Sequence, residues 1–371
     1  MTDLFNKINY CYGCGVCVIA CPRNAISMIM SDEGFYIPVL KDEKKCIACK
    51  LCENVCSYFD KNDFLMPPEI KGFAGYSKET ETRYKSTSGG IAFEIAKLLL
   101  NKDYKACGVK YNYYENRAEH FIADTINDFT ESIGSKYIQS YTLPGFSKLT
   151  AKDRWVVFGT PCQIASLRKW AKEIKAEHNY FFVDFFCHGV PSYLLWNNYL
   201  NTKKKEFNQS KYEQINFRDK CNGWHNYTIT LKAGKIENSY SLKNNDLFYR
   251  FFLSNLCLNK ACYEDCKFKH IRSFADIRVG DMWGKKYESD QTGISAVLFI
   301  TPKGRSLINE LNISCVLKEE PLDIVTEGQM SDNLSTPARR QFVIKSLRNH
   351  ASLKHLNLKI KFLNKFHAIF Q

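Results

Sequence analysis

The stretches "CYGCGVCVIACP" (residues 11–22) and "CIACKLCENVCS" (residues 46–57) decide how this chain is read. Each runs cysteine, two residues, cysteine, two residues, cysteine, three residues, cysteine. Cys11 and Cys46, Cys14 and Cys49, Cys17 and Cys52, and Cys21 and Cys56 all stand 35 positions apart, so the unit is duplicated. Thiols at this density are disulfide partners or metal ligands, and disulfide frameworks belong to small secreted chains. This sequence has 371 residues, and its opening "MTDLFNKINYCYGC" lacks the apolar core of a secretory signal. Metal or redox chemistry is the better reading, and the cytoplasm is the expected location.

Three cysteines spaced by two wrap one face of an iron–sulfur cubane, while the fourth, at the start of a short helix, points to the neighbouring cluster. The expected assignment therefore crosses over. One 4Fe-4S cluster takes Cys11, Cys14, Cys17 and Cys56, and the other takes Cys46, Cys49, Cys52 and Cys21. Structural zinc also uses paired cysteines, but the tight four-cysteine run closed by Pro22 is the iron–sulfur pattern. Ser57 stands where proline usually follows the last cysteine. Between the units, "AISMIMSDEGFYIPVL" alternates around a turn at Asp32 to Gly34, as a small covering hairpin does. The whole resembles a bacterial-type two-cluster ferredoxin.

The expected fold is α+β, with a ferredoxin domain over 1–62 and a linker over 63–71 marked by Pro67 and Pro68. A larger α/β domain follows over 72–150 and 151–310. The strands "RWVVFG" and "YFFVDFFC" are expected in it, with a β-rich portion around "YTITLKAGK". A basic helical tail is expected over 311–371. No apolar run approaches the roughly 18 residues of a membrane span. The formal charge of +13 suits an acidic redox partner, a phosphate-bearing cofactor or nucleic acid. The lysines are scattered, however, apart from 203–205 and the C-terminal stretch, so a solvated basic surface without a nucleic-acid partner is expected.

Four further stretches carry chemistry. "STSGG" (86–90) precedes a helix whose Ile91, Ile95, Leu98 and Leu99 share one face. It reads either as a phosphate cradle or as an ordinary helix cap. "FGTPCQIASL" places Cys162 between a strand and a helix, and "DFFCHGVPS" places Cys187 just after a strand, where ligands of α/β sheets collect. "CLNKACYEDCKFKH" adds Cys257, Cys262 and Cys266, pointing to a third metal site. His188 and His270 are candidate neighbours of that site.

These motifs, in order with "GSKYIQS" (134–140), "FRDK" (217–220) and "ADIRVGDMWG" (275–284), resemble the coenzyme F-420 hydrogenase/dehydrogenase beta-subunit family over roughly residues 1–310. The resemblance implies an iron–sulfur flavoprotein oxidoreductase in which clusters feed a flavin and the flavin exchanges a hydride with an organic acceptor. That acceptor is a deazaflavin-type compound or one connected with surface-polysaccharide synthesis. A redox partner protein such as an acidic ferredoxin or flavodoxin would supply electrons. The alternative is a non-enzymatic electron-transfer subunit for a partner reductase. By analogy, FAD is expected at Ser86, Thr87, Ser88, Gly89, Gly90, Gly134, Ser135, Lys136 and Tyr137, with Lys136 opposing phosphate charge and Trp283 either lining the cavity or sitting in the core. A third 4Fe-4S cluster is expected on Cys162, Cys187, Cys262 and Cys266. The family keeps two residues between its last paired cysteines. Here Tyr263, Glu264 and Asp265 intervene, which leaves Cys257 as a substitute ligand.

Overall fold

The computed structural model describes residues 7–59, 69–207 and 211–369. In the N-terminal lobe, β1 (Ile26–Met30) and β2 (Tyr36–Leu40) form the expected antiparallel hairpin, with Ile26 opposite Leu40 and Met30 opposite Tyr36. Helices Val16–Ile19 and Leu51–Asn54 occupy equivalent places in the two cysteine units. The duplication extends to the backbone. Gly13 and Ala48, 35 apart, both have left-handed φ (+69° and +53°), as do Gly15 and Lys50 (+73° and +62°). Glycine is required only in the first unit. A Cβ on Gly13 would meet Gln139 Nε2 at 2.1 Å, and one on Gly15 would meet Thr142 Oγ1 at 2.2 Å, whereas Ala48 and Lys50 face solvent. The first unit is thus pressed against the body of the protein and the second is the outer one.

The body is built on a nine-stranded sheet whose order is β14-β3-β13-β12-β8-β7-β4-β5-β6. In chain order these strands are β3 (Lys71–Ser77), β4 (Lys105–Asn112), β5 (Arg117–Ala123), β6 (Ser140–Tyr141), β7 (Trp155–Phe158), β8 (Tyr180–Phe185), β12 (Ile277–Asp281), β13 (Ser295–Phe299) and β14 (Cys315–Glu319). At its centre β12, β8, β7 and β4 run parallel. Parallel strands are covered on both faces, which is why β7 and β8 read as near-continuous apolar runs. Beside the sheet lies a second, antiparallel one of β9 (Gln214–Asp219), β10 (Thr228–Ala233) and β11 (Ile236–Ser241), the β-rich portion expected from "YTITLKAGK". The segments expected on either side of residue 150 share the large sheet. The tail segment supplies β14 as an edge strand before turning helical, and Val343, Leu347, Leu353 and Leu356 then bury an apolar face in the largest core cluster. Residues 60–68, with Pro67 and Pro68 of the expected linker, lie outside the described residues, and β3 already begins at Lys71.

The lobe and the body share apolar core: Val16 and Val55 pack with Ile164, Leu167 and Trp170. Ser57 explains its own departure from proline. It is fully buried, donates its N–H to Ser166 Oγ at 3.1 Å and accepts at its hydroxyl from Ser166 at 2.9 Å. Proline has no N–H to give. Ser57→Pro is expected to leave every cysteine in place yet cost about 1–3 kcal/mol by stranding buried Ser166, read as a lowered urea midpoint under anaerobic conditions. An unchanged midpoint would show that this bond holds nothing.

Candidate metal centres and active-site cavity

The eight N-terminal cysteines separate into two groups in space. Cys46, Cys49 and Cys52 line one cavity together with Cys21, the cysteine of the other unit, and Arg23, Ile26 and Leu40 complete its wall. Cys11, Cys14, Cys17 and Cys56, the other expected group, stand within electrostatic range of one another, and Cys17 also packs with Cys21 and Cys52 of the outer group. Burial pushes the Cys11 thiol up to about 12, with Cys14 adding repulsion, and the Cys56 thiol is raised by burial and then by Cys14 and Cys11. Cys17, also raised by burial, feels Cys14, Cys11, Cys56 and Cys52. Four buried thiolates cannot coexist unless positive charge sits among them, which bound iron supplies. Among the described residues, no group of three or more His, Cys, Asp or Glu side chains is close enough to hold a single metal ion.

A third thiol group lies deeper in the chain. Cys162 opens the helix Pro161–Glu173, whose Thr160 N-cap forms a reciprocal box with Gln163, and Thr160 Oγ1 lies 3.1 Å from the Cys162 sulfur. Burial holds the Cys162 thiol well up, and Cys187, Cys14 and Cys262 add their repulsion. Cys262, pushed up to about 12 by burial, is opposed next by Cys187 and Cys266. The four expected residues thus stand within electrostatic range of one another, as does Cys14 of the first N-terminal group. The longer spacing before Cys266 accommodates Tyr263, which is fully buried and accepts at its hydroxyl from Leu258 N–H at 2.9 Å. The following Asp265 accepts at its carbonyl from Tyr12 at 2.5 Å. Cys257, the candidate substitute, is instead an apolar-core thiol among Phe251, Leu258 and Tyr263.

Beyond this third group opens a cavity of about 650 Å³ at the carboxyl ends of the four parallel strands, where open α/β sheets bind ligands. Cys187, His188 and Gly189 belong to its wall, so one cysteine of the third group borders the cavity directly. Both expected flavin motifs reach it: Ser86, Thr87, Ser88 and Gly90 from one, and Gly134, Ser135, Lys136 and Tyr137 from the other, joined where Ser135 N–H donates to Thr87 Oγ1 at 2.7 Å. Gly90 starts the helix Ile91–Leu100 at φ +89°, and no side chain caps that start. Gly89 is a correction. It is absent from the cavity wall, its N–H donates to Ser295 Oγ at 3.0 Å, and a Cβ there would meet Gly75 O at 2.2 Å. Its glycine is demanded by strand packing and not by a ligand.

Several cavity residues were not legible as site residues. Arg218 of "FRDK" is 2% exposed, stacks at 3.7 Å on Tyr227 and lies 3.7 Å from the Asp281 carboxylate of "GDMWG". Tyr227, itself at φ +45°, is stacked on Trp283, and Trp283 on Trp224. Trp283 is thus a cavity residue with one face in the core. Lys220 donates to the carbonyls of Arg83, Ser88 and Thr292 at 2.6–2.7 Å, fastening the 86–90 loop. Lys269 is nearly buried and donates to the carbonyls of Cys187 and His188, both at 3.0 Å. It places a cation between the third thiol group and the cavity. His188 engages Asn255 at 2.6 Å, and both His188 and His270 line the same cavity.

The donor set of the N-terminal cysteines fits an iron–sulfur protein. Residues 10–59 match the family model of the 4Fe-4S dicluster domain, and residues 152–324 match that of the C terminus of the coenzyme F420 hydrogenase/dehydrogenase beta subunit, so both matches fall in one polypeptide. Among solved structures, one chain of the F420-reducing [NiFe] hydrogenase complex from Methanosarcina barkeri is 17% identical, with a TM-score of 0.47, covering 78% of this chain and 91% of that one. No curated protein matches. No helix among the described residues is long and apolar enough to cross a membrane.

Proposed function

We propose that the protein is a flavin-dependent iron–sulfur oxidoreductase. Cys46, Cys49, Cys52 and Cys21 would hold an outer cluster, Cys11, Cys14, Cys17 and Cys56 an inner one, and Cys162, Cys187, Cys262 and Cys266 a third beside the large cavity, where a flavin would bind. The clusters would supply single-electron transfer toward that cavity. The observation that carries this reading is the continuity of the route: Ser57, next to Cys56, donates to the Cys162 carbonyl at 3.4 Å, Tyr12, next to Cys11, donates to the Asp265 carbonyl beside Cys266 at 2.5 Å, and Cys187 forms part of the cavity wall.

The cavity fits a flavin nucleotide. A volume of about 650 Å³ is within the range of cofactor sites. The uncapped helix start at Gly90 and the hydroxyls of Ser86, Thr87 and Ser88 suit phosphate. Tyr227, Trp283 and Phe186 supply flat apolar faces. A bound flavin would accept single electrons and release them in pairs as a hydride. The protein's own groups hold and orient it: Lys220 fixes the loop, Arg218 and Lys136 present positive charge, and Lys269 sets a cation where electrons cross from sulfur to cavity. The hydride acceptor is an organic molecule of deazaflavin or similar planar type.

Lys136 yields a pH test. Its ammonium is held by the carbonyls of Glu131 and Ile133 at 3.1 and 3.2 Å, and burial lowers it to about 7, with Glu131 opposing. A phosphate beside it would raise that value, so binding takes up a proton above pH 7. FAD affinity should therefore be flat below about pH 7 and fall by up to about tenfold per unit above it. Lys136→Met should flatten the profile. Fluorescence titration with FAD across pH 6–9 measures this. A folded, cluster-loaded protein with no affinity for FAD or FMN would overturn the flavin reading in favour of an electron-transfer subunit.

A further inference from the structure

The two cysteine units are equivalent in backbone but not in setting. Of the eight N-terminal cysteines, Cys49 alone is exposed, and it belongs to the outer group. Around it the surface is basic. Arg23 and Lys45 stand on the rim of the outer cavity itself, and Lys41, Lys44 and Lys50 are exposed beside it. The acids of this stretch are Asp42 and Glu43. Asp42 is engaged at 3.6 Å by Lys45 and caps the turn by accepting from Lys44 N–H. Five cations therefore face two acids, one of them already occupied. At the centre of the patch Ile47 is 61% exposed, between two cysteines of the outer group. Lys50 also holds left-handed φ without glycine, because nothing of the body packs on it.

We infer that this face, formed by Arg23, Lys41, Lys44, Lys45, Ile47 and Lys50, is the docking surface for an acidic one-electron carrier protein. It brings together an exposed cluster ligand, a ring of positive charge and a central apolar contact. The ring steers an acidic partner and Ile47 gives it a desolvated point of contact, the usual division between charged rim and apolar centre. A small neutral reductant needs neither. The inference rests on the outer cysteines holding a cluster, and goes beyond the proposed route by fixing where and by what kind of protein it is filled.

The test follows cluster bleaching by stopped flow in anaerobic full-length protein. Three forms are compared: the unaltered chain, Lys44→Glu/Lys50→Glu, and a control with the same charge change on the exposed C-terminal helix, Lys359→Glu/Lys361→Glu. Each is mixed with a reduced acidic 2Fe-2S ferredoxin and, separately, with dithionite. At low salt the first double variant should react about tenfold or more slowly with ferredoxin. The control should match the unaltered chain, and the difference should collapse near 0.5 M salt as screening sets in; at that salt dithionite, itself an anion, should reduce all three forms at the same rate. Equal slowing of both double variants would reduce the effect to net charge and overturn the inference, as would no slowing in either. If dithionite bleaches no cluster in the unaltered chain, it is the iron–sulfur reading that fails.

Discussion

Cys162→Ser and Cys187→Ser should each lower the iron content of anaerobically purified protein from about twelve to about eight atoms per chain. Both N-terminal clusters should survive. The reason is geometric: the two cysteines enter the third group from separate strand ends, β7 and β8, while Cys262 and Cys266 come from one loop. Loss of Cys187 opens the group on the cavity side, and loss of Cys162 opens it on the side of the N-terminal lobe, where Ser57 donates to the Cys162 carbonyl. Cys257→Ser, by contrast, should keep all of the iron, since that thiol sits in apolar core. Iron and acid-labile sulfide assays with electron paramagnetic resonance of the reduced proteins measure this. Full iron in both strand-end variants would remove the third cluster, and the proposed route with it.

Asp184→Asn should be the most damaging substitution outside the cysteines. Asp184 and Arg278 are both 0% exposed and paired at 2.7 Å, with a second bond from Arg278 Nε at 2.8 Å. Ser273 also donates to this carboxylate at 2.7 Å. The guanidinium's remaining N–H groups go to the carbonyls of Phe268 and His270. The pair therefore ties β8 and β12 to the segment carrying Lys269, just past Cys266. Neutralising Asp184 strands a buried cation, at about 3–5 kcal/mol, and should loosen the third thiol group as well. Removing an exposed pair, as in Lys85→Ala opposite Glu81, should cost about 0.5 kcal/mol or less. Anaerobic urea midpoints compare the two, and similar small shifts in both would refute this anchoring role.

The cysteine units, their hairpin and the buried strands were legible because their signals are local. Spacing of two and three residues, strict alternation and short apolar runs need no knowledge of distant contacts. The motif at 86–90 was visible in the same local way, at a helix start, whereas the one at 134–140 was marked only by the family resemblance. What escaped the sequence depends on partners far along the chain. Strand β3 pairs with β13 and β14, more than 200 residues later, and nothing near Lys71 announces either. Gly89 resembled a cradle glycine, yet its constraint is the backbone of β3. Arg218 was marked only as part of the "FRDK" motif, and Lys269 by nothing local. Only the fold shows that one is stacked on Tyr227 and the other bridged to Cys187. Ser57 was visible as a departure, but its partner Ser166 lies 109 residues away.

The central claim is a continuous path from the outer cysteines to a flavin, and a reductive titration of anaerobic, flavin-reconstituted full-length protein tests it most directly. Each cluster accepts one electron and the flavin two. Dithionite added stepwise, followed by absorbance, should therefore deliver about five electrons per chain, with bleaching of one flavin among them. Uptake of three electrons or fewer, with no flavin bleached, would contradict the account.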